Sequence, residues 1–124
     1  MTIQTLIVDD QDDIRLLLRL VLGAESDIEV TGEASNGKEA VDAYIDLRPN
    51  VVVLDEMMPG MNGLDVVRTL RDRGDEPRVV LFSAYLDTNT RTAASELGVD
   101  WCVSKSDVGS VVGAVRELAA AAGG

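Results

Sequence analysis

Four consecutive aliphatic residues, Val51–Val52–Val53–Leu54, stop abruptly at Asp55. A strand solvated on one face alternates apolar and polar side chains. An unbroken run instead marks a strand covered on both faces, as inside a parallel sheet. Parallel strands cannot be joined by tight turns; each needs a longer crossover, usually a helix. The run therefore points to alternating strands and helices.

The rest of the chain supplies that alternation. Four further strand-like runs are Ile3–Val8, Ile28–Gly32, Val79–Phe82 and Trp101–Val103. Between them lie segments of helical period. Ile14, Leu17, Leu18, Val21 and Leu22 form one stripe, with Gly23 placed to cap it. Ala40, Val41, Tyr44 and Ile45 form a second, stopped before Pro49. Leu64, Val67 and Leu70 mark a third, with Gly74 and Pro77 after it; a weaker fourth runs from Thr88 to Leu97 and ends at Gly98. The last, Val108 to Leu118, carries Val111, Val112 and Val115 on one face. Strand–helix repeated five times, with right-handed crossovers, gives an α/β fold with helices on both faces of one parallel sheet. The 124 residues suffice for one domain, read here as residues 1–118. The Ala/Gly stretch 119–124 reads as a flexible tail or the start of a linker.

Composition narrows the chemistry. There is no histidine and only one cysteine, Cys102, so no internal disulfide or cysteine metal cluster can form. Any reactive site must be built from carboxylates, hydroxyls, lysine or arginine. The net charge of −11, unrelieved by any basic cluster, argues against direct nucleic-acid binding by these residues. No apolar run approaches the ~20 residues needed to cross a bilayer. The N-terminus shows no charged flank followed by an apolar stretch, so a cytoplasmic location is expected.

In open α/β sheets, sites form where loops leave the carboxyl ends of the strands. Asp9 and Asp10 follow the first strand, Asp55 the third, Ser83 the fourth and Lys105 the fifth. Each has a plain structural explanation: the acidic pair could cap a helix and Lys105 could be a solvated loop residue. Five polar residues of complementary chemistry at one sheet edge outweigh those explanations. Three aspartates against one lysine leave two negative charges, which a hard divalent cation such as Mg²⁺ would balance. Metal, ammonium, hydroxyl and carboxylate nucleophile are the parts that phosphoryl transfer requires.

These residues resemble the receiver domains of bacterial two-component response regulators, over about residues 3–118. The match comprises Asp9–Asp10, Asp55, Ser83, Lys105 and the stretch Asp55–Glu56–Met57–Met58–Pro59–Gly60–Met61–Asn62–Gly63. The resemblance implies a flavodoxin-like (βα)5 three-layer sandwich with strand order 2-1-3-4-5. It implies Asp55 as phosphoacceptor and Mg²⁺ held by Asp10, Asp55 and the Met57 carbonyl, with Asp9 close by or acting through water. It also implies Lys105 on the incoming phosphoryl oxygens and Ser83, with the Ala84 N–H, binding the phosphoryl group afterwards. The donor would be a sensor histidine kinase, and phosphorylation could bring two copies together. Met57 and Tyr85 fall where family members tune the lifetime of the phosphate. Lys105–Ser106–Asp107 lacks the proline that often follows the lysine, a feature of receivers attached to LuxR-type helix-turn-helix domains. Transcription would then be controlled through an attached or partner output domain.

Three departures bear on function. The position three before the lysine, usually aromatic in the family, is Cys102, so the familiar aromatic switch is in doubt, and Trp101 should lie on the opposite face of its strand. Gly32–Glu33–Ala34–Ser35–Asn36–Gly37–Lys38 matches the start of a P-loop, but Glu39 stands where Ser or Thr must hold Mg²⁺; a turn into the second helix is the simpler reading. Two other function classes remain beside a phosphoacceptor switch that is not itself an enzyme. One is a phosphorylation-independent interaction module. The other is a phosphatase or Mg²⁺ hydrolase, which would need a substrate-covering cap for which the chain has no spare segment.

Overall fold

The computed structural model describes residues 2–122. The elements follow in strict alternation: β1 Ile3–Val8, α1 Asp12–Gly23, β2 Ile28–Ala34, α2 Gly37–Leu47, β3 Val51–Leu54, α3 Gly63–Asp72, β4 Val79–Ser83, α4 Thr88–Glu96, β5 Trp101–Ser104 and α5 Ser110–Ala122. The five strands form one parallel sheet in the order β2-β1-β3-β4-β5, with β3 central.

β3 shows why its run is unbroken. Val51 and Val53 face one layer, with Leu18 and Leu22 of α1 and Val111 and Val115 of α5. Val52 and Leu54 face the other, with Tyr44 of α2, Leu64, Val67 and Leu70 of α3 and Ala94 of α4. All four β3 side chains are at most 3% exposed. Trp101 packs with the α1/α5 layer and Cys102 with the opposite one, as the pleat requires.

The first stripe is narrower than its sequence suggests. Leu18 and Leu22 are fully buried, whereas Leu16, Leu17 and Leu20 are exposed. Gly23 does not cap α1 in a left-handed conformation. It is the last helical residue, and Ala24 follows in right-handed geometry with its N–H on the Leu20 carbonyl. The chain then turns through Glu25 directly into β2, so no left-handed residue is needed.

Other boundaries move by a few residues. β2 extends past Gly32 to Ala34, which removes the P-loop-like segment as a phosphate cradle. Its last residues turn into α2, where Asn36 accepts the Glu39 N–H and Glu39 accepts from Ser35. α5 begins at Ser110 rather than Val108, because residues 107–110 form a turn closed by the Ser110 N–H on the Asp107 carbonyl. The stretch expected to be a tail continues α5 as far as Ala122; alanine is the best intrinsic helix former. Residues 123 and 124 lie outside the described residues. Among those described, no helix is long and apolar enough to cross a membrane.

Candidate functional site

The register of the sheet brings the polar strand ends together. Val8 pairs with Leu54, and the Asp55 N–H continues the ladder onto the Val8 carbonyl at 3.0 Å. Asp9 and Asp55 therefore leave the sheet side by side. On the other flank Ser83 pairs with Ser104, and the Lys105 N–H bonds to the Ser83 carbonyl at 2.9 Å.

At the centre, Lys105 Nζ lies 2.7 Å from Asp9 Oδ2 and 3.3 Å from Asp55 Oδ2. Both carboxylates are essentially sealed, Asp9 at 0% and Asp55 at 1% exposure. The two Oδ2 atoms are within ion-pair distance of the ammonium, but neither receives a directed hydrogen bond. Their other oxygens are used: Asp9 Oδ1 accepts the Gln11 N–H at 2.9 Å and Asp55 Oδ1 the Met57 N–H at 3.1 Å. Asp10 is exposed, and with Asp9 and Asp55 it places three carboxylate oxygens within 4.8 Å of one another. Burial, and then the Asp9 charge, push Asp55 up to about 6, against the pull of Lys105. Two buried carboxylate oxygens without hydrogen bonds, beside a third, are a donor set suited to a hard divalent cation.

A cavity of about 300 Å³ opens onto this cluster, lined by Asp10, Gln11, Asp55, Met57, Ala84, Tyr85 and Lys105. Met57 and Tyr85 stand at its mouth, 65% and 66% exposed. Ser83 is fully buried beside it, and its hydroxyl exchanges hydrogen bonds of 3.3 Å with the Tyr85 backbone. Cys102 is apart from the cavity: half-buried under the α4 side, with a thiol pushed up by burial. A neighbouring groove of about 470 Å³ shares Asp10 and Met57 and adds Glu56, Met58, Pro59, Gly60 and Asn62.

The loop after Asp55 is fixed by residues that sequence reasoning passed over. Glu56 engages α3 twice, its backbone carbonyl accepting the Gly63 N–H at 3.0 Å and its side chain the Leu64 N–H at 2.8 Å. Desolvation raises the Glu56 carboxyl above its ordinary range. Asn62 and Asp65 form a reciprocal capping box at the start of α3. The Asn62-x-x-Asp65 spacing could have revealed the box; nothing in the sequence signals Glu56.

Residues 5–116 match the family model described as the response regulator receiver domain. The chain belongs to this family. Receiver domains in solved structures share its fold: the signal receiver domain of the putative response regulator NarL from Mycobacterium tuberculosis is 28% identical, with a TM-score of 0.90, covering 96% of this chain and 97% of that one. Among curated proteins, the transcriptional regulatory protein LiaR of Bacillus subtilis is 30% identical over 92% of this chain and 54% of its own length. A protein-glutamate methylesterase/protein-glutamine glutaminase from a Nocardioides species is 37% identical over 88% of this chain and 31% of its own length. This receiver domain thus spans between about a quarter and just over half of the length of the curated relatives it matches. Its relatives include LuxR-family regulators, as the sequence beyond Lys105 suggested, and also methylesterases.

Proposed function

We propose that this receiver domain is a phosphorylation-dependent switch in which Asp55 accepts a phosphoryl group from a phosphohistidine on a sensor kinase. The observation that carries this reading is the sealed Asp55 carboxylate at the floor of a cavity, 3.3 Å from the Lys105 ammonium. An Asp55 carboxylate oxygen attacks phosphorus, an O–P bond forms, and the imidazole leaves with the electron pair of the broken N–P bond. Lys105 supplies positive charge to the phosphoryl oxygens. Asp10, Asp55 and the Met57 carbonyl would hold Mg²⁺, with Asp9 beside them; bound there, Mg²⁺ neutralises charge on the transferring group.

Phosphorylation replaces one carboxylate charge with a group of roughly −1.5 to −2. The added charge favours turning the Ser83 hydroxyl away from the Tyr85 backbone and toward the phosphoryl group, joined by the Ala84 N–H. The loop into α4 shifts with it, and the face formed by α4, β5 and α5 changes partners, a population shift between two packings. The domain is then a cytoplasmic phosphoacceptor rather than an enzyme in its own right, and dimerisation on phosphorylation is one form the change of partners can take. The likeness to LiaR supports transcriptional output through an attached or partner domain. The likeness to the methylesterase supports an enzymatic output domain as the second reading.

The test is phosphorylation by a small phosphodonor with Mg²⁺, followed by intact mass. One phosphoryl group is expected on the wild type and none on Asp55→Asn. Equal labelling of both would remove Asp55 from this role, and multiple turnover of a phosphate ester would favour a phosphatase.

A further inference from the structure

Arg15 stands in the first turns of α1, and nothing in the phosphoacceptor chemistry uses it. Its Nη1 donates to the Asp9 carbonyl oxygen at 2.7 Å. Its Nε lies 3.4 Å from Glu33 on β2, its Nη2 pairs with Asp12, and the side chain is only 16% exposed. A guanidinium in this position ties the loop after β1 to both β2 and α1.

Asp9 and Asp10 are held very differently. Asp9 is secured through its N–H on the Ala34 carbonyl at 3.1 Å and through its own carboxylate on Gln11 and Lys105. Asp10 is exposed, and its carboxylate makes no hydrogen bond or ion pair among the described residues. Only the backbone sets its place within 4.8 Å of Asp9 and Asp55. The carbonyl that Arg15 grips belongs to the rigid peptide plane joining Asp9 to Asp10, so the guanidinium fixes the rotation of that plane.

We propose that Arg15 is a positioning residue for the cation: by holding the Asp9–Asp10 peptide plane, it presents the Asp10 carboxylate to the site. The role rests on the reading of the three aspartates as a Mg²⁺ site. Two effects of Arg15 on a cation oppose each other. As a bare charge, Arg15 repels a dication, and its removal would tighten Mg²⁺ binding. As a positioning group, its removal weakens binding, and partners that orient metal ligands are typically worth about 10- to 100-fold in affinity.

Arg19 supplies the control, because it pairs with the same Glu33 one helical turn later and makes no hydrogen bond to the loop after β1 among the described residues. Mg²⁺ affinity is measured by isothermal titration on the wild type, Arg15→Gln, Arg15→Lys and Arg19→Gln, with metal-free melting to verify folding. Arg15→Gln is expected to bind about tenfold more weakly, while Arg19→Gln binds as tightly as wild type or tighter. Arg15→Lys keeps the charge but loses the planar fork, and is expected between the wild type and Arg15→Gln. It also stands in if Arg15→Gln melts too low to titrate, since a pure charge role leaves Arg15→Lys at wild-type affinity. Wild-type or tighter binding by Arg15→Gln overturns the proposal. Absence of Mg²⁺ binding by the wild type removes the underlying site, and this role with it.

Discussion

Gly63 lies flat against the carbonyl oxygen of Asp55. A Cβ at Gly63 would collide with that oxygen and come within 2.9 Å of the Glu56 Cα, both of them backbone atoms with little room to yield. The first turn of α3 is therefore seated directly on the peptide that carries Asp55. Gly63→Ala is expected to destabilise the domain by about 1–3 kcal/mol through overpacking. It should also slow phosphorylation of Asp55 at temperatures where the variant is still folded. Thermal melting and labelling by a small phosphodonor check both; a variant as stable and as reactive as wild type would disprove the seating.

Asp55 makes the metal-free domain sensitive to pH. Its folded value is raised to about 6 from the ordinary 3.8, so between these values the folded chain holds a proton that the unfolded chain has released. The stability this group contributes is fully present below about pH 4 and is lost as the pH rises through about 6. Subtracting Asp55→Asn from wild type isolates this effect from the other carboxylates. In chelator, the variant should gain on wild type across that window and melt higher near neutrality. Parallel melting curves from about pH 4 to pH 8 would contradict the prediction.

Met57 and Tyr85 flank the cavity mouth without closing it. Hydrolysis of an aspartyl phosphate needs a water held in line with the bond that breaks. A thioether and a distant phenol offer little to orient one, so slow phosphate loss is expected. Met57→Asn combined with Tyr85→Glu should hasten it by about tenfold, read as decay of the phosphorylated mass. An equal or slower rate in the double variant would sink the idea.

Cys102 occupies the position where an aromatic ring would be expected to move. Its side chain is half-buried beneath α4 and has no hydrogen-bond partner among the described residues. Cys102→Ala is expected to cost under about 1 kcal/mol and to leave the phosphorylation-dependent change in partner binding or self-association intact. Comparing association before and after phosphorylation in both proteins tests this. A variant fixed in either state would make Cys102 the switch element.

The arrangement of the fold was readable because apolar runs such as Val51–Leu54 end where chemistry begins, and strand ends in a parallel sheet converge. Asp9, Asp55, Ser83 and Lys105 could be found from that rule alone. Arg15 and Glu56 could not, because their roles depend on how α1 and α3 approach the sheet edge, which periodicity does not encode. Gly23 misled because a glycine after an apolar stripe has two uses, cap or last turn, and the path of the following residues decides between them. Residues 119–122 continue α5 although an alanine run reads as low complexity, because alanine is a strong helix former and needs no apolar stripe to extend a helix already packed on the sheet.

The sheet divides the interior into two hydrophobic compartments that share no buried apolar side chain. Leu22 and Leu70 sit in different compartments, so truncations at the two should add to within about 0.5 kcal/mol. Val52 and Val53 are neighbours in sequence but answer to different surroundings. A lineage could thus revise the packing beneath α4 without renegotiating the layer behind it, and the two sides of one small domain are free to evolve at different speeds.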